Sequence, residues 1–288
     1  MNKDSIKEIF KNYKIEIKEL NKANNSFSSD VYIVSTNEDK YVFKSSINKE
    51  KIENEKKYYN HLYNFLPTSK VLYSGKYNNY YYNIITYFEG NNRFDDEGNN
   101  FSRNDLRKLG MLLAKLHNCK LLDQNDSWIT YINKSINLSI NSINKVISND
   151  SQMIISFMKK YLEKNIINNY ENCIIHTDFR IGNTIFGNNQ VGLIDMESVK
   201  CGDYIFDFVK LSRILNKKNF KIFLNGYKNK RSIDDYFYDR LEFYRLFDSI
   251  ISIEWCNKNN QINTNYYNNN LKYLLEYVEV IKNGKWNI

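Results

Sequence analysis

The hydrophobic pattern of this 288-residue chain changes period once, near residue 90, and that change limits the folds open to it. Before it, residues 30–36 (DVYIVST) and 40–45 (KYVFKS) alternate and are rich in β-branched and aromatic residues, which predicts a hairpin across the polar NED turn. Residues 50–65 follow a helical period, with Ile52, Tyr59, Leu62 and Tyr58 as the apolar stripe, and Pro67, the single proline, ends that region. Residues 70–75 and 80–88 read as two further strands around a YNN turn. Gly90 and the polar run NNRFDDEGNN break the pattern and predict a hinge. From residue 103 the period is helical, with Leu106, Leu109, Leu113 and Leu116 in register and Asp105 near the positive end of the helix dipole. Short apolar strands interrupt the helices at 174–194, and helices return around 233–256 and 266–282. The expectation is an α+β chain: a small antiparallel-sheet lobe over 1–90, then a mainly helical lobe over 91–288. A cleft at the join of two such lobes is a common place for a ligand.

Composition removes several functional classes. No stretch approaches 18 consecutive apolar residues, so no membrane helix is expected. The first twenty residues are charged throughout and lack the apolar core of a signal peptide, so a cytoplasmic protein is expected. Cys119, Cys173, Cys201 and Cys256 are far apart, with no zinc or redox spacing, and read as reduced, mostly buried thiols. The net charge of +8 admits nucleic-acid binding, but the lysines are dispersed without a basic block. A Lys-rich solvated surface is the preferred reading, with no nucleic-acid partner. The 24 tyrosines, the many asparagines and the one proline look like the codon bias of an AT-rich genome.

Chemistry concentrates in CIIHTDFRIGNTIFGNNQVGLIDMES, residues 173–198. Ile174 and Ile175 end an apolar strand and fix a loop. Asp178 emerges from that loop, Asn183 follows five positions later, and a hairpin through the GNN turn at 187–189 returns the chain to Asp195. Two carboxylates and an amide oxygen in one small volume suit Mg²⁺, which takes a few protein oxygens and completes its shell with phosphate oxygens and water. In phosphoryl transfer, Asn183 and Asp195 would hold metal and Asp178 would accept or orient the attacking hydroxyl. Considered alone, the same residues are also ordinary turn and cap formers.

The first ninety residues add Lys44, which ends the apolar strand YVFK, and Glu55, eleven positions later on the same helical side as Ile52, Tyr59 and Leu62. Glu55 is placed to point Lys44 at the α- and β-phosphates, although a surface Lys and a surface Glu would give the same letters. The loop NNSFSSD, residues 24–30, offers hydroxyls and backbone N–H groups to phosphate but has no glycine. After Asp195, Asp207 either braces the catalytic loop, through backbone amides or His176, or caps a helix, as Asp203 could too.

Together these motifs resemble the aminoglycoside phosphotransferase and choline kinase family of small-molecule kinases. HTDFRIGN resembles its H-G-D-x-x-x-x-N loop, LIDME its I-D-F/W-E metal segment, CGDYIFDF its G-D-P-x-x-D-L segment, and KLGMLLAKLHN its L-G-x-x-L-A-x-L-H helix. IITYFEG resembles the hinge that ends in a glycine, and the resemblance runs from about residue 20 to residue 280. It implies a protein-kinase-like two-lobed fold, with Asp178 and His176 in the catalytic loop and Asn183 and Asp195 as Mg²⁺ ligands. It also implies ATP or GTP bound by Ser28, Lys44, Glu55 and the hinge backbone at Tyr87 and Phe88. Thr177 stands where the family usually has glycine, no proline follows Asp203, and the phosphate loop lacks glycine.

A small-molecule hydroxyl acceptor is expected on the helical lobe. Asp234, Asp235, Asp239, Glu242, Asp248 and Glu254 face two bases, Arg240 and Arg245, over one stretch. That patch would favour a cationic acceptor, with Tyr236, Phe237, Tyr238, Phe243, Tyr244, Phe247 and Trp255 interleaved, or it is a solvated face with pairs such as Glu242–Arg245. Glu197, in Asp-x-Glu, resembles the choline kinase branch. Aminoglycoside, choline, ethanolamine and homoserine acceptors all fit, and a monomer or homodimer is expected. The rivals are a catalytically inactive kinase fold used for binding, and a protein kinase. The latter is disfavoured because too few residues follow Asp195 for an activation loop.

Overall fold

The structure is a computed structural model that describes residues 1–23, 29–93, 100–122, 127–164, 167, 169–187 and 190–286. It divides into two compact units. The first comprises Met1–Cys119, His176–Lys200 and Lys210–Ser232; the second comprises Lys120–Ile175, Cys201–Val209 and Ile233–Ile288.

The first unit is built on a five-stranded antiparallel sheet: β1 (Glu19–Lys22), β2 (Asp30–Ser35), β3 (Lys40–Ser46), β4 (Val71–Tyr77) and β5 (Tyr80–Thr86), in the order β1-β2-β3-β5-β4. The hairpins at 30–46 and 70–88 are therefore where the alternation puts them. Strand alternation separates two faces. Tyr32, Val34, Phe43, Tyr82 and Ile84 face helix α1 (Lys3–Asn12), whose Ile6, Ile9 and Phe10 complete one core cluster. Helix α1 and strand β1 were not anticipated, because charged side chains dominate the first twenty residues. Only three α1 residues are buried, enough for a narrow amphipathic stripe.

Lys44 follows Phe43 and so points to the other face, where helix α2 (Lys49–Leu62) lies. Asn48 caps α2, accepting from Lys51 N, and Ile52, Glu55, Tyr58, Tyr59 and Leu62 are its buried stripe. A second, three-stranded sheet pairs β6 (Asn91–Asn92) with Thr184–Phe186, which in turn pairs with Val191–Leu193. Gly90 permits the approach of β6: its φ is +148°, and a Cβ there would lie 2.7 Å from Phe186 O. The expected hinge thus begins with two residues of strand. Helix α3 (Arg103–His117) opens with a full capping box between Ser102 and Asp105 and packs on the helix Lys217–Lys228.

The second unit is mainly helical, with helices Trp128–Val146, Ser151–Leu162, Phe237–Lys258 and Asn265–Lys282 and a short strand pair, Asn172–Ile175 with Lys200–Asp203. Its core is aromatic: Trp128, Phe206, Tyr244 and Phe247 make tilted or edge contacts. Inside it Asp203 accepts from Tyr244 Oη at 2.9 Å and from Ile205 N at 3.1 Å, and its Oδ2 lies 3.1 Å from Arg240 Nε. Asp203 therefore caps the turn Tyr204–Phe208, the capping role that the sequence offered to Asp203 or Asp207. Cys173, Cys201 and Cys256 are buried thiols, and Cys119 is half-buried. No helix among the described residues is long and apolar enough to cross a membrane.

Candidate active site

Every site residue described below belongs to the first unit. Lys44 Nζ lies 2.9 Å from Glu55 Oε1, 2.5 Å from Asp195 Oδ1 and 3.0 Å from Glu197 Oε2. Burial alone would lower the Lys44 pKa, but the three carboxylates, Asp195 first, reverse the effect and hold it well above its ordinary value. Lys44 is an ammonium at any physiological pH. Burial also pushes Glu55 up, and Lys44 offsets part of that. A surface pair is excluded for these two residues: Lys44 is 6% exposed and Glu55 1%.

Helix α2 is docked on the segment that carries Asp195. Asn54 Nδ2 donates to Glu197 O at 3.0 Å and to Val199 O at 2.9 Å. Asp195 N donates to Tyr59 Oη at 3.0 Å, and Lys51 Nζ reaches Glu197 Oε1 at 3.0 Å. Asp195 itself takes a left-handed conformation, φ 68° and ψ 65°, which turns its carboxylate back toward Lys44.

The loop after Ile175 is held by its own polar groups. Asp178 N donates to His176 Nδ1 at 3.3 Å, so the other ring nitrogen, Nε2, carries the hydrogen and donates to Ile194 O at 3.0 Å. His176 is fully buried and spends both nitrogens on backbone. Thr177 sits at φ +65°, a costly value for a β-branched residue, and its Oγ1 donates to Ser198 O at 3.1 Å. Thus the position where the resemblance leads one to expect glycine keeps the glycine conformation with a threonine in it.

Asp178 is bonded on both oxygens. Lys210 Nζ lies 2.6 Å from Oδ1, Arg180 Nε 3.1 Å from Oδ2, and Asn183 Nδ2 donates to Oδ2 at 2.8 Å and to Asp178 O at 2.9 Å. Burial would raise the Asp178 pKa; Lys210 and then Arg180 outweigh it and hold the carboxyl well below the usual carboxylate range. Asn183 aims its NH₂ at Asp178, which turns its Oδ1 the other way. Its backbone oxygen accepts from Ile194 N at 3.0 Å, placing Asn183 beside the segment that delivers Asp195.

Among the described residues no three His, Cys, Asp or Glu side chains are grouped to hold a metal alone. The donor set is smaller: the Asp195 carboxylate and the Asn183 amide oxygen. It fits Mg²⁺ chemistry, in which phosphate oxygens and water supply the rest of the shell.

Tyr87 and Phe88 follow β5. Tyr87 N donates to Lys40 O at 3.3 Å, and the Phe88 ring covers Gly192, where a Cβ would lie 2.4 Å from it. Ser28 lies outside the described residues. Five groups were not anticipated as site residues: Asn54, Lys51, Arg180, Lys210 and Asn83, which donates to Glu55 Oε2. Arg180 stands two residues from Asp178, inside the loop, and could have been weighed; Lys210 is 32 residues away and carries no local signal.

An antiparallel sheet with a buried Lys–Glu pair, followed by a loop with Asp and Asn and a left-handed Asp, defines a protein-kinase-like α+β fold. The phosphotransferase enzyme family model matches residues 19–244, and the chain belongs to that family. Solved structures share the fold. A gentamicin complex of APH(2'')-IIa is 20% identical over 96% of each chain, with a TM-score of 0.71. An ADP-bound aminoglycoside phosphotransferase APH(2'')-Ib is 20% identical over 96% of this chain and 97% of its own, TM-score 0.70. A GDP complex of aminoglycoside 2'-phosphotransferase-IIIa is 15% identical over 97% and 99%, TM-score 0.74. A search of curated proteins returns no match.

Proposed function

We propose that this protein transfers the γ-phosphate of ATP or GTP to a hydroxyl of a small molecule. The observation that carries the reading is Lys44, drawn from a strand, meeting both Glu55 and Asp195 within 3 Å, with Asn183 and Asp178 joined beside them. Proteins of similar fold have been solved as complexes with ADP, ATP and GDP, which supports it.

In this reading residues 1–90 bind nucleotide and residues 91–288 carry the catalytic loop and the acceptor site. Lys44, fixed by Glu55, binds the α- and β-phosphates; the backbone of Tyr87 and Phe88 binds the base, and Ser28 the phosphates. Asn183 Oδ1 and the Asp195 carboxylate would hold Mg²⁺, which would supply positive charge at the phosphate oxygens. The acceptor oxygen forms a bond to Pγ and its O–H proton passes to Asp178. The bond from Pγ to the β,γ-bridging oxygen breaks, and its electron pair leaves on the nucleoside diphosphate. His176 is a positioning residue, setting the Asp178 backbone through Nδ1.

A cationic acceptor such as an aminoglycoside is favoured by Asp234, Asp235 and Asp239 alternating with Tyr236 and Tyr238, all exposed in the second unit. Asp234 also pairs with the buried Arg240, and Asp248 is buried, so only part of the acidic run faces solvent. Choline, ethanolamine and homoserine are the alternatives.

The test is nucleoside diphosphate release with aminoglycosides, choline, ethanolamine, homoserine and macrolides as acceptors, with ATP and GTP. Asp178→Asn is expected to lower kcat about 10²–10⁴-fold while nucleotide still binds. Asp195→Ala is expected to abolish Mg²⁺-dependent turnover. Nucleotide binding without turnover on any acceptor would favour an inactive binding protein, and an Asp178→Asn enzyme with normal kcat would refute the role given to Asp178.

A further inference from the structure

Helix α2 presents one residue per turn to the site. Lys51, Glu55 and Tyr59 are spaced i, i+4, i+8 and share a face. Each meets a different group: Lys51 Nζ lies 3.0 Å from Glu197 Oε1, Glu55 Oε1 lies 2.9 Å from Lys44 Nζ, and Tyr59 Oη accepts from Asp195 N. Glu197 in turn draws three groups together. Its Oε2 lies 3.0 Å from Lys44 Nζ and accepts from Ser29 Oγ at 3.2 Å, while Oε1 faces Lys51. Two ammoniums and a hydroxyl around one anionic group are also what a phosphate would seek.

The donors of Lys44 are few. An ammonium has three N–H groups. Three carboxylate oxygens, from Glu55, Asp195 and Glu197, lie within 3.0 Å of Lys44 Nζ. Lys44 is read above as binding both the α- and the β-phosphate, which requires two of those oxygens to withdraw. Glu55 is 1% exposed and tied through Oε2 to Asn83, so it stays. Asp195 and Glu197, with side chains 34% and 12% exposed, are the two that yield. Asp195 has a second task as a metal ligand. Glu197 already has a second cation, Lys51, to fall back on.

We infer that Glu197 is a displaceable latch that competes with nucleotide phosphate for Lys44, and that Lys51 holds the carboxylate once it is displaced. The inference rests on the phosphotransfer reading above and adds two residues to it. A latched form and an open form divide the protein between them, and apparent affinity falls with the open fraction. Glu197 thus weakens nucleotide binding and hastens release of the diphosphate. Lys51 acts through Glu197 and is a positioning residue.

Calorimetry with ADP, with and without Mg²⁺, on wild type, Glu197→Gln, Lys51→Met and the double variant tests this, and thermal melting verifies that each is folded. Glu197→Gln keeps the shape and removes the charge. It is expected to bind ADP about fivefold tighter or more, in either condition, the scale of one relieved charge-assisted contact. A fluorescent ADP analogue should leave it correspondingly more slowly in stopped flow. Lys51→Met should weaken ADP about threefold or more, because Glu197 then turns wholly to Lys44, and should change nothing in the Glu197→Gln background. A direct contact between Lys51 and phosphate would instead weaken binding in both backgrounds and overturn the inference. Glu197→Asp, one methylene short of Lys44, replaces Glu197→Gln should that variant melt early, with tightening again expected. ADP bound no tighter by these variants overturns the latch; weakening confined to Mg²⁺ overturns it and makes Glu197 a metal ligand. Should neither wild type nor the Glu197 variants bind ADP, the phosphotransfer reading falls and this inference with it. Should wild type bind and the variants follow no such order, only the latch falls.

Discussion

Asn83 donates from its side-chain amide to Glu55 Oε2 at 3.0 Å, and this bond decides which way Glu55 faces. Asn83 is fully buried on β5, gives its other amide hydrogen to Ile52 O at 3.0 Å, and accepts from Ser74 Oγ at 2.8 Å. With Oε2 taken, Oε1 is left for Lys44. A relay from the sheet through Asn83 and Glu55 thereby sets the ammonium that meets Asp195.

Asn83→Leu keeps the branched side-chain skeleton and removes the donor and the acceptor. A buried carboxylate that loses such a bond costs about 1.5–3 kcal/mol. Denaturant unfolding should show that loss, and nucleotide KM should rise several-fold because Lys44 is no longer fixed. A variant with wild-type stability and KM would show that α2 holds Glu55 without help.

The depressed pKa of Asp178 sets a pH dependence with a definite sign. Its ordinary value is 3.8, and the folded value lies below that. The folded chain thus binds this proton less readily than the unfolded chain, so Asp178 contributes stability that is full above about pH 4 and is lost as pH falls through the folded pKa. Asp178→Asn should flatten that part of an acid-unfolding curve. Between about pH 5 and 8 the kcat profile of wild type should show no limb that vanishes in variants of this carboxylate.

Gly226 and Gly110 fix how closely α3 meets the helix Lys217–Lys228. A Cβ at Gly226 would lie 2.3 Å from Arg107 O, and one at Gly110 would lie 2.1 Å from Phe223 O. Both obstacles are backbone, which cannot rotate aside. Gly226→Ala is expected to destabilise by about 1–3 kcal/mol or more, the usual cost of forcing atoms into a packed contact. Unchanged melting behaviour would mean that the two helices are free to separate.

In the second unit, Arg240 pairs with Asp203 and Asp234 and is 1% exposed. Burial pushes Asp203 up to about 6 even with Arg240 beside it. Arg240→Met should cost about 3–5 kcal/mol, since it strands a buried carboxylate. The double variant Arg240→Met/Asp203→Leu should be less impaired than the sum of the single variants, because no unpaired charge remains. Additive losses in that cycle would show that the two side chains are not coupled.

Period and spacing made much of this legible. Alternation gave the two hairpins of the sheet and put Lys44 opposite Phe43; helical phase put Glu55 on the buried stripe of α2; the interval between Asp178 and Asp195 is a hairpin's length. These are short-range properties, and local geometry enforces them. Helix α1, the Asn83 bond to Glu55, and the place of Lys210 beside Asp178 were not legible, because each depends on which distant segment packs against which. The acidic run from Asp234 to Glu254 divides for the same reason: Asp248 is buried and Asp235 is not, although both are the same letter on one stretch. The sequence by itself determined which residue types recur at which intervals, hence the strands, the helices and the candidate acids and amide. Only the tertiary structure decided the partners of each charge, since an ion pair depends on distance in space, and the chain sets that distance by packing rather than by order.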